Sequence, residues 1–303
     1  MTDPQAEIMG KFQAAQSKAM QLISDLNMKD VTDEIGKLTS SVSELGSELT
    51  KIRSRGYAFA SYLEAKVQTC GEQWATIRGQ LSTLINQEIN QLRQEAQKLE
   101  LLLEKTKNQA NNPTAVGILL PSLESEVGSL EDKIKAAIER VQSRFTELRS
   151  DVTRTGGQIR EINSYLDEQD EASFPFLAGE KLFLASDAEW VATGKGDKDP
   201  DGVLFLTDQR LIFEQKEKTG KKLGLFGGKH TQELEWAIPL AQIQTVESEN
   251  KGIFGSKDLV HITLASDAPY PSITIEVKNV KSKAWVEQAQ RMLNGEANGE
   301  RIS

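Results

Sequence analysis

"DGVLFLTDQRLIFEQ", Asp201 to Gln215, is the stretch on which the reading of this chain turns. A glycine leads the apolar run Val203 to Leu206, Thr207 and Asp208 interrupt it, and Arg210 opens a second run, Leu211 to Phe213. Apolar runs this short, bounded by turn-forming side chains, are strands joined by a tight turn. Within that turn Thr207 and Asp208 can hydrogen-bond the backbone. Arg210 can pair with a carboxylate as the second strand leaves. All three read as structural residues.

The same short periodicity extends in both directions. "KLFLASDAEWVATG" precedes the stretch, and "QELEWAIPL", "IQTVESE", "DLVHITLAS" and "PSITIEVKN" follow it, giving about seven strands with turn residues between them. The closing "VKSKAWVEQAQRML" is helical, with Trp285, Ala289 and Met292 on one face, and can plug the open end of a curled sheet. Trp190, Trp236 and Trp285 read as core residues.

"DGVLFLTDQRLIFEQ", then "WAIPLAQIQTVE", "GSKDLVHITL" and the tryptophan-bearing helix resemble, in order, the GRAM and bacterial PH-like family. The resemblance covers about Phe176 to Leu293 and is silent on the residues before it. It implies an α+β multidomain chain whose C-terminal part is a seven-stranded, strongly bent antiparallel sheet capped by a helix. It also implies binding of phospholipid headgroups or protein segments, without catalysis.

Ahead of "DEQDEASFPFLAGE" the pattern is different. From Ile35 through Leu38, Val42, Leu45, Leu49 and Ile52 to Phe59 and Leu63, apolar positions alternate by three and four, as a heptad seam requires. The seam continues from Val67 to Leu103 with extra steps of four, which are stutters. "NQANNPTAVGILLPS" punctuates it, and a second seam runs from Leu123 to Leu166. Residues 1–170 are therefore read as a long α-helical antiparallel coiled coil, with helices over about 5–27, 30–108 and 121–168. Residues 171–295 are the PH-like domain and 296–303 a flexible tail. The short first and last helices are expected to fold back along the long middle one, changing places beside "RSRGYAFASYL", with the narrow seam completed by self-association into a homo-oligomer. "RTGGQI", with Gly156 and Gly157, is either a hinge or a point of close helix approach. Cys70 and Trp74 fall on the seam as buried apolar groups.

Composition narrows the function. The formal charge is −9, with 20 basic and 25 acidic residues in the first 170 and 16 and 20 in the rest, so no polycationic stripe exists to displace counterions from nucleic acid. A single cysteine allows no intramolecular disulfide, "MTDPQAEIMGKF" is not a charged-then-apolar leader, and no apolar run is long enough to span a bilayer. The expectation is a cytoplasmic protein with at most peripheral membrane contact. His230 and His261 are the only histidines, and GxxxxGK[ST], HExxH and GxSxG are all missing, so neither a catalytic apparatus nor a cofactor is expected.

The candidate site is "EKTGKKLGLFGGKH", Glu217 to His230, which follows the strand "RLIFEQ". Lys216, Lys218, Lys221, Lys222 and Lys229 outnumber Glu217, and Leu225 and Phe226 stand between glycines. Such a loop can be drawn to an anionic bilayer by its lysines and held by its apolar pair, or it can dock on protein. Inositide-binding PH-like folds place their basic residues in the first hairpin. Here that hairpin is "GKGDKDPDG", so stereospecific inositide recognition is not expected. "DKDPDGVLFLTD" matches the spacing of a calcium loop through Asp197, Asp199 and Asp201, but no helix precedes it, its second half alternates as a strand, and its last ligand is Asp208 rather than glutamate, so a hairpin turn is favoured and no metal is assigned. Three functions stay open: a scaffold or tether gripping a lipid headgroup or protein at a membrane surface, a membrane-shaping protein in the manner of a BAR domain joined to a PH domain, and a purely protein-binding adaptor.

Overall fold

The computed structural model describes residues 4–191, 199–219, 229–251 and 257–302; in the hairpin after Gln215, side chains are described up to residue 216 and again from 232. Five helices come first, α1 (Pro4–Asp25), α2 (Lys29–Ser54), α3 (Tyr62–Lys107), α4 (Pro113–Gln142) and α5 (Thr146–Glu171). Seven strands follow, β1 (Leu182–Val191), β2 (Asp201–Thr207), β3 (Arg210–Thr219), β4 (Lys229–Pro239), β5 (Ile243–Lys251), β6 (Lys257–Leu264) and β7 (Ser272–Val277), then α6 (Ser282–Leu293). The chain forms two compact units, one of residues 1–44 with 67–154, the other of 45–66 with 155–303.

In the first unit α3 and α4 are antiparallel. Glu88 meets Arg140 and Glu95 meets Lys133, so rising numbers on one helix match falling numbers on the other. The heptad positions Leu81, Leu92, Leu99, Leu123, Leu130 and Val141 are buried between helices, as their spacing requires. Helix α1 departs from the expectation that it folds back on the helix after it. Ile8 packs on Gly117, Lys18 pairs with Glu131, and Glu34 near the start of α2 reaches Gln142 and Arg149, so α1 and the first turns of α2 proceed in the same direction as α4 and α5. Leu26 and Met28 in the corner are buried, which makes it a packed joint rather than a solvated reversal. Gly117 leaves room for the approach, since a Cβ there would lie 3.3 Å from Ile8 Cδ1.

The expected helix over 30–108 is two helices. Gly56, at φ 90°, occupies the left-handed position that ends α2: its N–H donates to Arg53 O and that of Tyr57 to Ile52 O, the paired bonds of a Schellman motif. The expected helix over 121–168 is also two, and begins earlier. Asn112 accepts from Ala115 N and Pro113 takes the first turn, where a missing N–H costs nothing, while Pro121 lies inside α4. Residues 143–145 then tighten the chain by one turn before α5.

Within the second unit Gly156 and Gly157 lie inside α5. A Cβ on Gly156 would meet Leu45 Cδ2 at 3.4 Å, which fits close helix approach. Arg53 organises the corner between α2 and α3. Its guanidinium donates to the carbonyls of Tyr57, Phe59 and Ala60 and to Glu64, holding Ala60 at φ 55°. Tyr57 in turn donates to Phe183 O on β1, and burial raises its phenol above the ordinary range.

The sheet is antiparallel throughout, in the order β4-β3-β2-β1-β7-β6-β5. All of β2 from Gly202 to Thr207 is buried, so both its faces are covered. On one face Phe174, Phe205, Leu182 and Ile212 pack together with Phe176 and Tyr165. On the other, Trp190 of β1 stands 6.0 Å from Trp236 of β4, although three strand spacings of about 4.8 Å separate those strands in a flat sheet. The sheet therefore curls around its aromatic residues. Gly202 permits the tightest contact, because a Cβ there would sit 2.0 Å from the carbonyl oxygen of Glu214, beside the irregular register at Phe213 and Glu214.

Helix α6 covers the β5 edge. Gln290 donates to Val246 O, and Asp258 on β6 accepts from Ser282 N and so caps the helix from outside. Residues 296–302, expected as a flexible tail, are instead seated. Ala297 is fully buried, Ser61 N donates to Glu300 O at 2.9 Å, and Ile302 N to Ala58 O at 2.8 Å. Glu300 and Ile302 thus bond to the backbone of Ser61 and Ala58, a long-range match no local pattern announces.

Candidate functional site at the root of the third hairpin

β3 and β4 stay paired from Arg210↔Pro239 out to Lys218↔His230 and Thr219↔Lys229. Lys221, Lys222, Leu225 and Phe226 lie outside the described residues; Lys218 and Lys229 belong to the last two strand pairs, with side chains also outside the description. Lys216 alone among the sequence-derived site residues is described completely, and it is engaged. Its Nζ lies 2.9 Å from Glu168 Oε2 and 2.6 Å from Glu171 Oε2, both in the last two turns of α5. Burial works against the charge on Lys216, but hydrogen bonds from its ammonium to Glu171 and Glu168 outweigh that and hold its pKa above the ordinary lysine value.

Neighbouring side chains complete this root. Opposite Lys216, Gln232 donates to the Glu171 carbonyl and to Glu214 Oε2. Glu214 is almost fully buried and accepts from the Ser173 N–H at 2.7 Å and from its hydroxyl at 2.5 Å. The chain leaving α5 is thus fastened across the hairpin. Sequence reasoning found Lys216 but not its partners, although "DEQDE" showed an acidic helix end that requires compensation at the negative pole of the helix dipole.

The turn before β3 behaves as its residues demand. Thr207 Oγ accepts from Gln209 N and Arg210 N and donates to Glu180 Oε1 at 2.7 Å; Asp208 accepts from Lys181 N. Arg210 meets Glu180 in a two-pronged pair, with its second prong also reaching Pro175 O. Burial alone would raise the Glu180 pKa, but the bonds from Arg210, Leu177 N and Thr207 bring it below the ordinary glutamate value. The cluster is saturated with internal partners and is structural.

Two other places were candidates for chemistry. Asp197 lies outside the described residues, while Asp201 opens β2 and the residues after it run extended, not as a helix-flanked calcium loop; among the described residues no cluster of His, Cys, Asp or Glu could hold a metal. His261 bridges Thr274 Oγ at 3.2 Å and Glu249 Oε2 at 2.9 Å, spanning three adjacent strands. With His261 and Glu249 substantially exposed, this is a cross-strand ladder at the surface. A cleft of about 300 Å³ between α5 and β1 is lined by Tyr165, Ser186, Lys278 and Trp285, and Ser186 Oγ is buried without a hydrogen-bond partner. No described helix is long and apolar enough to cross a membrane.

No family model matches the chain, and no curated protein matches it. Among solved structures it is similar to the DH/PH domains of p115-RhoGEF, at 14% identity and a TM-score of 0.26, over 95% of this chain and 98% of that one. It is also similar to the DH/PH fragment of PDZRHOGEF in a complex with human RhoA, at 14% identity and a TM-score of 0.28, over 97% and 96%. At these scores the likeness carries no argument about function.

Proposed function

We propose that this protein is a non-enzymatic tether whose PH-like, GRAM-type domain grips an anionic membrane surface through the segment joining β3 and β4, while its helices self-associate as a coiled coil and set distance. The observation that carries this reading is the register of the hairpin. β3 and β4 are still paired at Thr219↔Lys229, so a paired two-stranded stem leads directly into "GKKLGLFGG". Support for the PH-like reading comes from the seven antiparallel strands, the curl of the sheet and the C-terminal helix packed on it, the features the family resemblance implies. Near an anionic bilayer each lysine contributes about 1 kcal/mol, and a single apolar side chain adds about 1.5–3 kcal/mol when fully buried, so charge and insertion together give reversible attachment.

The helices are a weaker lipid surface. Arg140, Arg144, Arg149, Arg154 and Arg160 are the residues that would form a basic face, and of these Arg140 pairs with Glu88, Arg149 with Glu34 and Arg154 with Asp151. The membrane-shaping alternative therefore ranks below the tether. Flotation of the full chain with phosphatidylserine vesicles tests the proposal. Wild type should float with these and not with neutral vesicles, and either Lys221→Glu with Lys222→Glu, or Phe226→Ser alone, should reduce flotation. Equal flotation of all three proteins would remove this segment as the lipid contact.

A further inference from the structure

Lys216 is the one lysine of the proposed grip whose surroundings are described, and two carboxylates already hold it. We infer that the acidic end of α5 is a built-in competitor for the membrane, occupying the root of the basic hairpin in the unbound protein and yielding it when an anionic surface arrives. This rests on the membrane reading above and adds its regulation.

The geometry gives the acidic end its position. Gln232, opposite Lys216, donates to the carbonyl of Glu171 itself, and Glu214, two residues before Lys216 on β3, accepts from Ser173 just beyond the helix. Backbone bonds therefore seat the helix end on the hairpin, and the two glutamates ride with it. Its other two carboxylates, Asp167 and Asp170, both meet Arg55 at 2.9 and 2.8 Å. Arg55 also donates to Asn163, so this second cation is committed to α5 and the helix stays put when Lys216 changes partner.

The exchange is between like chemistries. Glu171 is substantially exposed and Lys216 and Glu168 are each about 30% exposed, so the contact is within reach of solvent and is weakened by salt as the membrane attraction is. A phosphatidylserine surface offers Lys216 many carboxylate and phosphate oxygens in place of two glutamates. Any fraction of molecules held in the internal contact lowers the apparent affinity by that fraction.

Removing the competitor should strengthen binding through Lys216. In the full chain, Glu168→Gln with Glu171→Gln should bind phosphatidylserine vesicles about fivefold more tightly than wild type, the worth of one additional lysine at the surface. Glu247→Gln with Glu287→Gln, an equal change of charge on exposed residues elsewhere in the sheet domain, should give a smaller gain. Adding Lys216→Gln to the first variant should cancel its gain, a coupling that a general charge effect does not produce. If wild type floats and the Glu168 and Glu171 variant floats no better, or no better than the control, the competitor is refuted and the membrane reading stands. If no protein floats, both fall. Flotation of the Glu168 and Glu171 variant alone would mean that the internal contact shuts the site completely.

Discussion

The Arg210 guanidinium and the Glu180 carboxylate face each other fork to fork, Nε to Oε1 at 2.9 Å and Nη2 to Oε2 at 3.0 Å, with the glutamate side chain wholly buried. Arg210→Ala would leave that carboxylate buried without its counter-charge. The expected loss is about 3–5 kcal/mol in urea unfolding followed by tryptophan fluorescence. A loss under about 1 kcal/mol would show that the pair is solvated.

The same pair makes stability depend on acid. Because the Glu180 pKa is lowered on folding, its stabilisation is present above the unfolded value, about 4.3, and disappears as pH falls through the lower folded value. Glu88 behaves alike, its pKa lowered by the hydrogen bonds from Arg140. Unfolding midpoints should therefore drop steeply below about pH 4 in the wild type and less steeply in Arg210→Ala. Parallel profiles for the two proteins would contradict the assignment.

Gly202 is required by contact rather than by φ. In Gly202→Ala the added methyl would press on the Glu214 backbone, which the strand ladder holds, so β2 and β3 must separate there. We expect a cost of about 1–3 kcal/mol or more, and faster amide exchange across the β2–β3 ladder than elsewhere in the sheet. Unchanged exchange at Phe205 and Ile212 would mean that the strands absorb the methyl.

The direction of α1 can be tested chemically. With cysteines at Lys18 and Glu131 in a Cys70→Ser background, a short bismaleimide should join α1 to α4 within one chain, since those side chains now form an ion pair. Cysteines at Leu22 and Ile35, the pair expected to meet if α1 folded back on α2, should give little product. The reverse outcome would restore the folded-back hairpin.

Residues 300–302 pin the corner between α2 and α3. Arg301 pairs with Asp208 at 2.9 Å and stands over the Phe59 ring. A chain stopped after Gly295 should keep its sheet but lose protection of the Ser61 amide, which donates to Glu300 O. Ser61 exchange as slow as in the full chain would show that the corner holds itself through Arg53.

How much of this was legible follows from the range of each signal. The turn at Thr207 to Arg210 was readable because threonine, aspartate and arginine act within a few residues, and the structure places their bonds there. Glu180 was not, because its partner lies 30 positions away and one glutamate among many carries no mark. The break at Gly56 read as part of one continuous helix, since Phe59 keeps the seam's spacing while sitting in a turn; only the left-handed glycine and the arginine four residues after Leu49 distinguish it. Lys216 was legible as a charge but not as a committed one.

By itself the sequence determined which segments are helices and which are strands, how many strands there are, and that a tryptophan-bearing helix closes the sheet. Those features follow from periods of two and of three to four residues, which each segment carries within itself. Only the tertiary structure decided that α1 runs along α4, that residues 300–302 are fastened to the α2–α3 corner, and that Lys216 is held by Glu168 and Glu171. Each depends on which of many chemically equivalent surfaces approach one another, and packing settles that choice among residues far apart in the chain.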